Sequence, residues 1–299
     1  MAYRNLMIES PANMKLCQKQ LIIFTDKEYR IPLEDISSIL IENRQATITM
    51  ATLSSLAENN VTVFICYEKH LPCAVMIPFA QHSRTSLMLK YQEELSQPLR
   101  KQLWQQLVKS KINNQANCLE LLGKKNTVKY LRNLTKNVLS GDTTNVEARA
   151  ARYYFQNLFD DKFLRGNDLD VRNHFFNYGY AIMRGHIARL IATYGFIPMI
   201  GLHHKNELNS YNLADDFLEP FRPIVDLYVA SVEDFYKLTS LHKRELFNLL
   251  NMDILINKQL HSVSYAAELM IQSFSRCCQN KSKELLLPQL IELRQHKYE

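Results

Sequence analysis

The chain has 299 residues, 46% of them hydrophobic and 22% charged, the balance of a folded globular protein and one that excludes extensive disorder. Seven glycines, with neither a GxGxxG nor a GxxxxGK[ST] string among them, exclude the glycine-rich nucleotide loops. A net charge of +6 and a pI near 8.9 favour an acidic partner without naming one.

The first part of the chain reads as strands. Short, mostly apolar runs at 5–9, 14–17, 21–25, 36–41, 46–50, 61–67 and 74–78 are separated by turn residues, the pattern of a small β-sandwich over residues 1–78. Thr52 can cap one helix among them, carrying Leu53, Leu56 and Ala57 and stopping at Asn59 and Asn60. Residues 79–90, largely polar at their start with His82 and Arg84, read as a linker. Over 91–299 the spacing turns helical: Leu103, Trp104 and Leu107, then Cys118, Leu121 and Leu122, then Tyr130, Leu131 and Leu134 recur at intervals of three and four. The fold expected is α+β, an N-terminal β-sandwich domain followed by a mainly α-helical one. Six cysteines, Cys17, Cys66, Cys73, Cys118, Cys277 and Cys278, show no CxxC spacing, which argues against structural zinc. They suit a reduced, cytoplasmic setting, as does the lack of an apolar signal stretch after Met1.

The start of the helical region is basic. Arg100, Lys101, Lys109, Lys111, Lys124, Lys125, Lys129, Arg132 and Lys136 are interrupted by a single acid, Glu120. Lysines and arginines on successive helix faces suit sequence-independent contact with DNA phosphates. That track would run over Lys101, Lys109, Lys111, Lys124, Lys125, Lys129 and Arg132, although a solvated helix surface gives the same pattern. Trp104, between Leu103 and Leu107, is expected in the core rather than as a base-stacking platform.

Two strings carry chemistry. In NVEARAARYYF, from Asn145 to Phe155, Glu147 shares a helix face with Ala150, Ala151 and Tyr154. A carboxylate on that face needs an ion pair, hydrogen bonds or a cation, unless it is an exposed first-turn acid in a helix capped by Asn145. In GLHHKNELNSYNLADDFLEPFRPIVD, from Gly201 to Asp226, His203 and His204 open a polar loop, and Asp215, Asp216 and Glu219 follow where an apolar helical run begins. An oxygen-rich set with one imidazole suits magnesium or manganese. Acids at a helix start and surface histidines also occur without any metal.

Both strings, in this order and separation, resemble the signature of the CRISPR-associated integrase family, the catalytic subunit of the spacer-acquisition complex, in its type II branch. Glu147 to Phe155 is similar to the family's E-G-x-A-A-R-x-Y-F-like helix, with Ala148 where a glycine or other small residue is usual. Leu202 to Pro223 is similar to its L-x-H and N-L-A-x-D-x-x-E-P-F-R-P strings, and Asn177 to Ala181 to its N-Y-G-Y. The likeness covers almost the whole chain, but no motif is placed after about Val229. It implies that the sandwich mediates homodimerisation and that Glu147, His204 and Glu219 hold Mg2+ or Mn2+, with Asp216 a neighbouring catalytic acid of open role. Counting back from E-P-F-R-P puts the family histidine at His204 rather than His203.

The activity implied is insertion of short DNA fragments, spacers, into a CRISPR array, each fragment's 3′ hydroxyl attacking a phosphodiester of the target. Implied partners are double-stranded DNA, a small ferredoxin-like subunit bridging two dimers, and the type II effector nuclease. The alternative is a metal-dependent endonuclease that uses the same ligands to hydrolyse branched or single-stranded DNA, and a further one is a non-catalytic nucleic-acid scaffold. Arg222 is expected to pair with Asp226 one turn on. His242 and His261 are expected to be structural or surface residues, and the tail from Arg294 to fray.

Overall fold

The structure is a computed structural model that describes residues 4–68, 72–76, 83–159, 163–233 and 235–297. The chain divides into two units, one ending at Ser83 and one running from Arg84 to Lys297.

Eight strands and one helix build the first unit: β1 (Arg4–Ile8), β2 (Asn13–Cys17), β3 (Gln20–Phe24), β4 (Glu28–Pro32), β5 (Ile36–Ile41), β6 (Thr47–Ile48), α1 (Met50–Glu58), β7 (Thr62–Cys66) and β8 (Pro72–Met76). They form two sheets, β1-β5-β7-β8 and β4-β3-β2-β6. Residues of both share one core: Met14, Leu21 and Ile23 from one sheet, Ile8, Ile36, Ile39 and Val63 from the other, with Leu56 of α1. This is the sandwich the alternation predicts. Two details differ. Thr49, not Thr52, caps α1, its hydroxyl accepting from the Thr52 N–H, so the helix starts earlier and cuts β6 to two residues. The strand β4 is absent from the sequence-based expectation because Glu28, Tyr29 and Arg30 are all exposed at a sheet edge and leave no apolar alternation to read.

Of the segment expected as linker, 79–82 lies outside the described residues, as do 77 and 78 of the last expected strand. The remainder is ordered: Thr85 to Lys90 belong to a helix, α2 (Thr85–Glu93), which buries Met88.

The second unit continues with α3 (Gln97–Leu121), α4 (Lys125–Lys136), α5 (Val146–Leu158), α6 (Val171–Thr193), α7 (Asn212–Leu218), α8 (Arg222–Ser231), α9 (Ser240–Asn248), a hairpin of β9 (Asp253–Ile256) and β10 (Gln259–Ser262), and α10 (Val263–Asn280). Ser96 caps α3 by accepting from the Leu99 N–H, and α3 then packs on α4, α5, α7 and α8. On its other side α8 meets α6, where Gly179 permits the approach: a Cβ there would sit 2.6 Å from Val225 Cγ1. The hairpin interrupts a region read as wholly helical. It turns at Asn257 and Lys258, both with positive φ, as a two-residue hairpin requires.

The tail does not fray as far as Lys297. Residues 281–297 fold back as a strap in which Leu285 and Leu290 are buried, Gln289 pairs with Leu255, and the Asp253 N–H donates to the Arg294 carbonyl at 2.7 Å. His296 adds an Nδ1 contact of 2.6 Å to Asp253. Apolar anchoring and backbone pairing outweigh the charged composition that suggested disorder. Among the described residues no helix is long and apolar enough to cross a membrane.

Candidate functional site

The two strings meet at α3. Asp142 caps α5 from outside, its carboxylate accepting from the backbone N–H groups of Val146 at 2.8 Å and Glu147 at 2.9 Å, while Asn145 takes a left-handed conformation at the helix start. This fixes Glu147 in the first turn, above the buried Ala150 and Tyr154. Across from it, α7 passes into a single 3-10 turn, Glu219–Phe221, whose Phe221 is buried and whose Glu219 is only 3% exposed. Lys111 of α3 stands between the two acids. Its Nζ lies 2.5 Å from Glu147 Oε1 and 2.5 Å from Glu219 Oε2.

Electrostatics holds this cluster ionised. Burial alone would raise the Glu219 carboxyl, but Arg222 and Lys111 outweigh it and hold it at about 2. Burial likewise works against the Lys111 ammonium, and Glu219 and Glu147 outweigh it, so its pKa rises. Arg222 reaches the other oxygen of Glu219, with Nε 2.9 Å from Oε1. The expected Arg222–Asp226 pair does not form. Glu219 lies three residues back on the same turn, and Asp226 is taken by the Tyr180 hydroxyl. Burial pushes the Asp226 carboxyl up to about 6.

The histidine loop is built on Asp216. This fully buried carboxylate accepts from the backbone N–H groups of Leu202 at 2.6 Å, His203 at 3.1 Å and His204 at 3.2 Å, and also meets His204 Nδ1 at 2.7 Å. That last hydrogen bond raises the His204 pKa against the effect of burial. With Nδ1 engaged, Nε2 is the ring nitrogen left for a ligand. Gly201 is dictated by the turn, since a Cβ would lie 2.4 Å from the His204 carbonyl oxygen and 2.9 Å from Asp216 Oδ2. Arg100 braces the same turn by donating to the Gly201 carbonyl at 3.0 Å. His203 points elsewhere and stacks on the buried Trp104, with ring centroids 4.3 Å apart.

A cavity of about 270 Å3 in this unit is lined by Arg165, Asn177, Tyr180, Arg184, Asp215 and Arg222. Three guanidinium groups face one carboxylate there, so the cavity favours an anion. Asp215 lies 3.9 Å from Arg184 and accepts from Asn209 Nδ2, which separates its surroundings from those of Asp216.

Glu147 and Glu219 therefore come together, with His204 held nearby by Asp216. Both oxygens of Asp216 are occupied, by backbone N–H groups and by His204, whose ring it orients. The expected DNA track divides. Lys101, Lys125 and Lys129 are exposed, and Lys109 is half-buried. Lys124 instead donates to the Asn157 and Leu158 carbonyls at the end of α5, and Arg132 pairs with Glu120 at 2.5 Å. Lys111 is buried between two acids rather than presented to solvent, because it continues the buried α3 stripe of Trp104 and Leu107. That spacing was the sequence signal for its inward position. Arg100 stood out only as part of the basic run, and nothing in the residue pattern marked Asp142 or Asn114, whose Nδ2 donates to the Pro220 carbonyl beside Glu219 at 2.8 Å.

Compared with known proteins, residues 6–246 match the family model described as CRISPR associated protein Cas1. A protein named CRISPR-associated endonuclease Cas1, from Neisseria meningitidis serogroup C (strain 8013), is 42% identical over 305 aligned residues, covering 100% of both chains. Among solved structures, a casposase bound to integration product superposes with a TM-score of 0.75 at 19% identity, over 94% of this chain and 92% of the other. A Cas6-RT-Cas1–Cas2 complex gives 0.72 at 20% identity, over 94% of this chain and 35% of that one. At these identities the structural likeness establishes the fold.

Proposed function

The chain belongs to the CRISPR-associated Cas1 family, and from that membership we propose that it is a metal-dependent DNA integrase, which inserts short DNA fragments into a CRISPR array by attack of their 3′ hydroxyls on phosphodiesters. One observation carries the reading: carboxylates from the two separate strings, Glu147 and Glu219, converge on a single cation position, which the Lys111 ammonium fills. Among the described residues no three acid, imidazole or thiol groups are gathered closely enough to enclose an ion. Two acids already bracket a positive charge, however, and His204, its Nδ1 tied to Asp216 and its pKa raised in part by Glu219, would add the imidazole of a donor set that suits Mg2+ or Mn2+.

Glu147, His204 and Glu219 would hold the ion, which when bound supplies charge to activate the attacking hydroxyl and to offset the negative charge developing on the phosphorus centre. The remaining work falls to the chain itself. Asp216 fixes the tautomer and orientation of His204, Asp142 fixes the first turn of α5, and Arg222 holds Glu219 in place. No protein nucleophile takes part, and exchange of one phosphodiester for another needs no nucleotide. The arginine-lined cavity and the exposed Lys101, Lys125 and Lys129 would take phosphates without regard to sequence. A similar structure is a complex of Cas1 with Cas2, which supports a small partner subunit here, and we extend the proposal to a homodimer formed through the sandwich.

The test is a strand-transfer assay with the full chain and its small partner subunit, Mn2+, a labelled fragment with free 3′ ends and a supercoiled plasmid. Label is expected in the plasmid, with Glu147→Ala and His204→Ala each lowering it about 100-fold or more. Joining that survives both substitutions refutes the ligand assignment. Fragment shortening without joining establishes the hydrolytic endonuclease instead, a reading favoured by the relative's name.

A further inference from the structure

We infer that Lys111 is the resident counter-cation of the metal site: in the metal-free protein its ammonium holds the position between Glu147 and Glu219, and a divalent ion must displace it to take both carboxylates. The inference rests on the metal-dependent reading above and names what the metal competes with.

Geometry separates Lys111 from the other cation of the cluster. Arg222 contacts Glu219 through Oε1 and leaves Oε2 and the whole of Glu147 to others. Lys111 takes Oε2 of Glu219 and Oε1 of Glu147 together, so it occupies a position from which both acids are reached. Its side chain has little access to water, since Lys111 is 8% exposed on the buried face of α3. No other cation is recorded against Glu147 among the described residues.

A charge inventory gives the direction of the effect. With Lys111 in place the cluster holds two carboxylates against two monovalent cations and is balanced. Without Lys111 and without metal, Glu147, partly exposed, and the buried Glu219 would face each other with only Arg222 to offset them, and like charges so placed destabilise the fold. With Lys111 retained and a divalent ion added, four positive charges would oppose two negative ones, a repulsion that low local dielectric magnifies. The ammonium and the ion therefore exclude one another. The flexible four-carbon stem of a lysine suits this exchange, because it can withdraw without moving α3. Lys111 stabilises the empty site and weakens the metal's hold on it.

Three proteins, each the full chain stripped of metal with a chelator, decide the matter: the unaltered chain, Lys111→Met and Glu147→Gln. Each is titrated with Mn2+ alone by calorimetry, without DNA, and unfolded thermally in chelator and in Mn2+. Lys111→Met is expected to bind Mn2+ about tenfold more tightly than the unaltered chain, to unfold at a lower temperature in chelator, and to gain more from added Mn2+. Glu147→Gln is expected to lose the binding. Equal or weaker binding by Lys111→Met, with Glu147-dependent binding intact in the unaltered chain, overturns the inference and leaves the metal reading standing. No Glu147-dependent binding in either background overturns both. Should Lys111→Met not fold, Lys111→Met/Glu147→Gln removes one charge of each sign and is expected to fold in chelator, and its failure to do so overturns the inference.

Discussion

The two units bury different things. Of the described residues, the sandwich encloses one acid, Glu42, among hydroxyls and aliphatic side chains, while the helical unit encloses Lys111, Asp142, His186, Arg189, Asp216, Glu219, Asp226 and Lys243. Aliphatic packing directs the chain to a fold at low risk, since each contact needs only size and shape. Buried charge has to be matched atom by atom, and an apolar set of equal volume would often be as stable. Its concentration in one unit marks where positioning of groups has been kept at the expense of simple packing.

The sharpest way to break the comparison is to remove one member from each core. Asp216→Ala leaves three backbone N–H groups and His204 without their acceptor, and a loss of about 4 kcal/mol is expected. Leu21→Ala, at a position with no exposure, is expected to cost about 3 kcal/mol by cavity formation. Urea unfolding measures both. Mn2+ calorimetry then separates them, for only Asp216→Ala should lose the ion. Equal Mn2+ binding by the two variants would remove Asp216 from any role in positioning the site.

A smaller effect concerns pH. His186 is buried with Nδ1 unpartnered, and burial first, then Arg189, hold its pKa down at about 3 against the ordinary 6.5. Below pH 6.5 the unfolded chain takes up a proton that the folded chain refuses, so stability present above 6.5 is lost as pH falls towards 3. At pH 5 this amounts to about 2 kcal/mol. His204 has the opposite sign: its pKa is raised by Asp216, so its contribution is in place below the ordinary value and fades as pH rises through the folded one. His186→Leu should therefore flatten the acid side of a stability profile followed by calorimetry. An unchanged acid limb would rule out a neutral buried imidazole.

The smallest effect is at the surface. Lys129→Ala is expected to change stability by less than about 0.5 kcal/mol and to reduce the salt dependence of DNA binding by about one counterion. A salt slope identical to that of the unaltered chain would take Lys129 out of the phosphate track.

Legibility followed the same division. Strands β1, β3, β5 and β7 were plain as short, mostly apolar runs, whereas β4 was hidden by its exposed Glu28 and Arg30 and the β9–β10 hairpin by a polar Asn257-Lys258 turn far from any motif. Glu147, His204 and Glu219 are proposed as ligands on strings shared with a family; the structure sets Glu147 and Glu219 against Lys111 of α3 and His204 edge-on to Trp104 of the same helix. Lys111 was assigned to the surface on its charge, although its spacing from Trp104 and Leu107 already placed it on the inward face. Arg222 faced two acids, and spacing alone could not choose between them. The choice depended on Tyr180, which occupies Asp226 from a helix remote in sequence.

The strap ties the site to the order in which the protein is made. Buried Asn114 of α3 donates to the Pro288 carbonyl and accepts from the Leu290 N–H, 176 residues later. At a synthesis rate of about 5–20 residues per second, that partner arrives roughly ten to thirty seconds after Asn114 itself. The core residues of the sandwich, Ile8 to Val63, all precede it. A ribosome paused short of Leu285 thus displays a sandwich with its whole core synthesised and a helical unit whose α3 still has an amide waiting for residues 288–290.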